Sequence, residues 1–183
     1  MKTLVLVFHP NMSTSRANRS LAAKAEALGD DVTVRYMYDL YPDQKVDVDA
    51  EQAALEAADR VVLQFPMYWY STPALLKQWE DDVLLYGWAY GSTGNALAGK
   101  ELLVAVSTGG AGDAYSREAS YGYTITELLR PLQATANMVQ MAYLEPFTTT
   151  GTLTITDEAL AQRVEDYAAT LASKDLPVLE PHG

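Results

Sequence analysis

Residues 3–8, 60–65 and 101–107 form runs that are almost continuously apolar instead of alternating. A strand of that kind has no face for water, so it must be covered on both sides. Residues 31–36 and about 139–147 read as two further strands, and longer segments of helical periodicity stand between all of them. Short strands alternating with helices specify a parallel sheet wrapped by helices. The expectation is a three-layer α/β sandwich with a five-stranded parallel sheet, built as one domain over residues 1–183.

The helical segments carry their own punctuation. Leu21, Ala25 and Leu28 recur on one face ahead of Gly29, which suits a left-handed C-terminal cap. A second helix is predicted from Asp49 with Gln52 as its capping partner, and a third from Ser71-Thr72-Pro73, burying Leu75, Trp79 and Val83. The last runs from about Thr156 through Leu171, with Asp157 and Glu158 in its first turn. Around residues 125–136 Pro131 predicts a kinked or interrupted helix. The aromatic stretch 86–95, with Tyr86, Trp88 and Tyr90, fits no period and reads as a binding or dimer-contact loop.

Composition removes whole classes of chemistry. There is no cysteine, so disulfides, thiolate metal sites, cysteine nucleophiles and iron–sulfur clusters are excluded. A net charge of −11 repels nucleic acid and anionic lipid alike. The apolar N-terminal run is too short for a signal peptide and meets His9-Pro10-Asn11, so the reading is a cytoplasmic protein.

Open parallel sheets bind ligands beyond the carboxyl ends of their strands. The first such end, His9 to Asn18, offers Ser13, Thr14, Ser15, Arg16 and Asn18 at the start of a helix, a cradle for a phosphate that equally suits simple capping. No G-x-G-x-x-G follows, and Asp39 reads as a solvated turn residue rather than a ribose ligand. The third strand ends in Pro66-Met67-Tyr68-Trp69-Tyr70, a rigid aromatic wall for a flat ring. The fourth ends in Ser107-Thr108-Gly109-Gly110, where backbone N–H groups can approach an electron-rich edge. A phosphate cradle, an aromatic wall and a glycine loop together describe a mononucleotide with a large planar base, which flavin mononucleotide (FMN) fits.

Residues 65–79 (FPMYWYSTPALLKQW), 87–91 (GWAYG) and 107–110 (STGG) resemble the quinone reductase branch of the flavodoxin-like superfamily. Residues 40–43 (LYPD) and 131–136 (PLQATA) are also similar to the ancillary flavoproteins of glutathione-gated potassium efflux systems. The resemblance implies a flavodoxin-like sandwich and a homodimer with active sites at the subunit interface. It implies FMN, or FAD, held by His9, Ser15, Arg16, Ala17 and Asn18 at the phosphate, by Pro66, Met67, Tyr68, Trp69 and Tyr70 along the ring, and by Ser107, Thr108, Gly109 and Gly110 at its polar edge. Tyr115 matches a family tyrosine beside the flavin, and Tyr121 stands where its companion histidine would be, so these two are the implied catalytic positions. The implied activity is hydride transfer from NADPH or NADH to flavin, then two-electron reduction of a quinone at the same ring face. Two rivals keep the same fold: a flavodoxin-type electron carrier, and a redox-active regulatory subunit of a potassium efflux membrane protein, peripheral at the inner face of the cell membrane.

Overall fold

The computed structural model describes residues 1–180. Strands β1 (Thr3–Val7), β2 (Val32–Tyr36), β3 (Arg60–Pro66), β4 (Glu101–Ser107), β5 (Ala142–Tyr143) and β6 (Phe147–Thr149) form one parallel sheet. Its spatial order is β2-β1-β3-β4, with β5 and β6 sharing the far edge of β4. β1 and β3 are buried along their whole length, as expected from runs with no polar alternation. Layers of apolar side chains cover the two faces: Phe8, Leu63, Leu75, Trp79 and Leu132 on one, and Val5, Leu21, Leu103, Tyr167 and Leu171 on the other.

The helices are α1 (Arg16–Glu26), α2 (Met37–Leu40), α3 (Val48–Glu56), α4 (Ala74–Val83), α5 (Ile125–Leu128), α6 (Arg130–Met138) and α7 (Asp157–Ala172). Ser15 caps α1 by accepting from the Asn18 N–H, and Thr156 caps α7 by accepting from the Ala159 N–H. Pro131 sits in the first turn of α6, so the helical stretch breaks at Leu129 as its missing N–H requires.

Three local expectations need correction. The second long helix starts two residues earlier in its cap than expected, because Asp47 accepts from Ala50 while Gln52 reaches the Val83 carbonyl instead. Pro73 is the N-cap of α4 rather than a first-turn residue, and neither Ser71 nor Thr72 supplies a side-chain cap. The stretch expected as one strand at 139–147 begins as the end of a helix and then splits. Tyr143 to Phe147 covers four steps opposite the three from Leu102 to Ala105, a one-residue bulge at Pro146. There Glu145 donates its N–H to the Pro177 carbonyl and Leu179 donates to Tyr143, so the chain after α7 covers the edge that the bulge opens.

Candidate cofactor cleft

The carboxyl ends of β1, β3 and β4 open on one cleft of about 280 Å³ lined by His9, Thr14, Ser15, Arg16, Ala17, Asn18, Pro66, Met67, Tyr68, Ser107, Gly109, Thr152 and Leu153. Eleven of the residues singled out in the sequence therefore meet in space.

The first wall is a tight 3-10 turn running into α1. Asn11 organises it: its N–H donates to His9 Nδ1 (3.1 Å), its Oδ1 accepts from Ser13 (2.7 Å), and its carbonyl accepts from Thr14. Because His9 Nδ1 is an acceptor, the ring's proton is on Nε2, and burial lowers the pKa so that the ring stays neutral. The N–H groups of Arg16 and Ala17 belong to the first turn of α1, where no intrahelical acceptor exists. Arg16 itself is turned to the Asp157 carboxylate (2.8 Å) and the Ile155 carbonyl (2.9 Å). Asn18 is only 2% exposed and donates its amide to Ser107 Oγ (2.9 Å), so its side chain faces the floor beneath the cleft.

The second wall is a two-residue hairpin. Tyr68 and Ser71 exchange both backbone hydrogen bonds at 3.0 Å, and Trp69 and Tyr70 between them have φ of +48° and +63°. Two positive φ values are the pattern of a type I′ turn, which favours Asn and Gly and disfavours large aromatics. Trp69 is 94% exposed, and it lies outside the cleft along with Tyr70.

The third wall is the glycine loop. Thr108 donates its hydroxyl to the Gly110 carbonyl (2.9 Å), and a side chain on Gly110 would meet the Tyr121 hydroxyl at 2.7 Å. Tyr121 packs edge-on against both Tyr115 (4.8 Å between centroids) and Tyr70 (5.8 Å). The structure thus brings the two expected catalytic tyrosines together with the hairpin. Burial raises the Tyr115 pKa, so its phenol keeps a proton at neutral pH.

Sequence reading missed Thr152 and Leu153. Both lie just past β6, where Thr152 donates both its N–H and its hydroxyl to the Thr108 carbonyl, and Leu153 leans over Gly109. The carboxyl end of the last strand obeys the same rule as the other three, but the expected strand stopped at about Phe147, where β6 begins, and hid that end.

The donors suit a phosphate and a flat ring. Hydroxyls of Thr14 and Ser15 meet a helix N-terminus whose Arg16 and Ala17 N–H groups have no intrahelical acceptor, and the glycine loop leaves room that a Cβ would fill. Thr149, paired with Ser107 across β4 and β6, has a buried Oγ1 with no partner.

A family model described as the flavodoxin-like fold matches residues 1–171. This chain belongs to that family. Among its relatives, an uncharacterized NAD(P)H oxidoreductase, YrkL of Bacillus subtilis, is 49% identical over 170 residues, covering 91% of this chain and 97% of the relative. A glutathione-regulated potassium-efflux system ancillary protein of Enterobacter is 44% identical, covering 92% and 94%. Among solved structures, general stress protein 14 of Treponema denticola in complex with FMN superposes with a TM-score of 0.88 at 40% identity, covering 93% and 98%. An NADPH-quinone reductase of P. pentosaceus does so with a TM-score of 0.86 at 36% identity, covering 96% and 99%.

The loop at 86–95 of this flavodoxin-like protein is folded mainly onto its own chain. Ala89 is buried, Trp88 donates its indole N–H to Glu56 (2.8 Å), and a side chain at Gly94 would collide with the backbone of Tyr90. Tyr86 alone of its aromatics is strongly exposed, at 69%.

Proposed function

We propose that this protein is a flavin-dependent NAD(P)H dehydrogenase acting on quinones. The observation that carries the reading is the convergence of three strand ends on one cleft, in a chain 40% identical to a relative solved with FMN. FMN, when bound, supplies the two-electron chemistry that links a reduced nicotinamide to a quinone-like acceptor.

The chain's own residues hold and orient. Ser15, Thr14 and the first turn of α1 meet the phosphate, with neutral His9 offering its Nε2–H. Pro66, Met67 and Tyr68 flank the ring, while Trp69 and Tyr70 extend that wall outward. Thr108 orders the glycine loop so that its N–H groups present a fixed positive edge. Tyr115, kept protonated, donates a hydrogen bond to the oxygen of the acceptor, and Tyr121 packs the wall rather than moving a proton.

The protein works as a homodimer in the cytoplasm. Leu85 and Tyr86 stand exposed beside a groove of about 560 Å³ between α4 and α6, apolar surface that a second copy would cover. Among the described residues no helix is long and apolar enough to cross a membrane. The 44% identity to a potassium-efflux ancillary protein supports a second role at a membrane transporter, recruited from solution.

Colour is the first test. The purified protein is expected to be yellow, absorbing near ~450 nm, to release FMN on denaturation, and to oxidise NADPH in the presence of menadione. A colourless protein that takes up no FMN would overturn the reading. A yellow protein that passes electrons only to protein acceptors would place it among the electron carriers.

A further inference from the structure

Gln64 is an oddity in β3. It lies in an otherwise aliphatic stretch of strand at the centre of the sheet, between Val7 and Ala105, and is completely buried. A buried amide without partners costs ~1–3 kcal/mol, and an aliphatic residue would fill the position without that cost. Packing alone therefore gives no reason for a glutamine here.

Its partners give one. Gln64 donates its amide to the Asn18 carbonyl (2.9 Å) and, more weakly, to Asn18 Oδ1 (3.4 Å), while its own Oε1 accepts from the buried Tyr167 hydroxyl (3.2 Å). Asn18 in turn donates to Ser107 Oγ (2.9 Å). Four buried polar side chains from α7, β3, α1 and β4 thus form one chain beneath the cleft. Asn18 and Ser107 line the cleft; Gln64 and Tyr167 do not.

We infer that Gln64, backed by Tyr167, is a positioning residue that fixes the first turn of α1 against the glycine loop and so sets selectivity for a phosphorylated flavin. Asn18 belongs to that first turn, which carries the N–H groups of Arg16 and Ala17, and Ser107 opens the loop that leads to Gly109 and Gly110. The Asn18–Ser107 bond joins the two, and Gln64 determines which way Asn18 faces. A phosphate is held by several short, charge-assisted hydrogen bonds that tolerate little displacement. The ring is held by flat apolar contact that tolerates more. Loosening the first turn of α1 should therefore weaken the phosphate contacts and spare the ring. This rests on the proposed flavin reading and adds to it a residue that touches no ligand.

The test is a ratio. Gln64→Met keeps the volume and removes every polar atom, and Tyr167→Phe removes only the far hydroxyl. Dissociation constants of apoprotein for FMN and for riboflavin, which lacks the phosphate, are read from quenching of flavin fluorescence. Gln64→Met is expected to weaken FMN ~10-fold, the equivalent of one hydrogen bond, while riboflavin changes less than ~3-fold. Tyr167→Phe is expected to move the same ratio by a smaller factor, and it carries the test if Gln64→Met does not fold. Equal weakening of both ligands, or an unchanged ratio in the variants that fold, overturns the inference while the flavin reading stands. Wild-type protein that binds neither flavin overturns both.

Discussion

Along the first wall of the cleft, the polar side chains from His9 to Arg19 are engaged with one another or with the chain behind them. Along the hairpin, aromatic rings stand in solvent, with Trp69 and Tyr70 both at a positive φ that disfavours them. The contrast follows from what each region meets. A small dianion is held by donors fixed in advance, whereas a flat ring, and whatever docks on it, needs exposed apolar surface. Strain of about 1–3 kcal/mol per residue in such conformations persists only where surrounding structure enforces it, and here the Tyr68–Ser71 bridge does so.

The largest expected effect tests whether holding and reacting are separate. Tyr115→Phe keeps the ring that packs against Tyr121, so FMN affinity should stay within ~2-fold while reoxidation by quinone slows ~100-fold, the usual range for a positioned acid. Tyr121→Phe should cost far less, because its ring packs between two other rings and keeps that packing without the hydroxyl. Stopped-flow of the reductive and oxidative half-reactions separates the two steps. Equal small effects from both variants would leave placement of the cofactor as the whole contribution of the aromatic side.

How much of this was legible in the sequence divides along the same line. Continuous apolar runs gave β1, β3 and β4, and with them the three loops, because burial on two faces leaves a plain compositional mark. The residue types at the site were legible too, but not which way they face. Asn18 and Arg16 look like phosphate donors in sequence, yet one is drawn under the floor by Ser107 and Gln64 and the other across to Asp157. All three partners are far away along the chain, and one sequence carries no sign of such pairings. The β5–β6 bulge was hidden for a similar reason: its compensation comes from Pro177 and Leu179, beyond the last helix.

A smaller effect extends the contrast down α4. Glu80 sits in the groove that begins at Ser71 and Thr72, facing Lys77 and Asp81 on its own helix, Tyr90, and only uncharged residues from α5 and α6. Burial, opposed by Lys77 and reinforced by Asp81, raises its pKa from 4.5 to about 7. Between those values the folded protein binds a proton that the unfolded chain has released, so stability falls as pH rises through that window. Allowing for partial exposure, the loss should be about 1 kcal/mol. Glu80→Gln should remove that slope and be the more stable protein at alkaline pH, as read from urea unfolding on either side of the window. Parallel pH profiles for both proteins would show the groove to be as well solvated as open surface.

The smallest effect bears most directly on the strained hairpin. An L-residue in the left-handed region costs about 1–2 kcal/mol, and asparagine is among the few side chains that enter it readily. Trp69 is almost wholly exposed in the single chain, so replacing it removes little buried area. Trp69→Asn should therefore stabilise the isolated chain by ~0.5–1 kcal/mol, a few degrees in melting temperature for a protein of this size. Catalysis should move the other way if the hairpin forms the proposed ring wall, since the substitution strips a ring from it. Dilution distinguishes the two possible supports for the tryptophan. If a second copy covers it, Trp69→Asn will stabilise at concentrations where the protein is monomeric and destabilise where it is dimeric, because the ring's burial is then gained only on association. If the variant is less stable at every concentration, the ring is supported within its own chain, and the division between a saturated cradle and a strained, open wall fails at its most exposed residue.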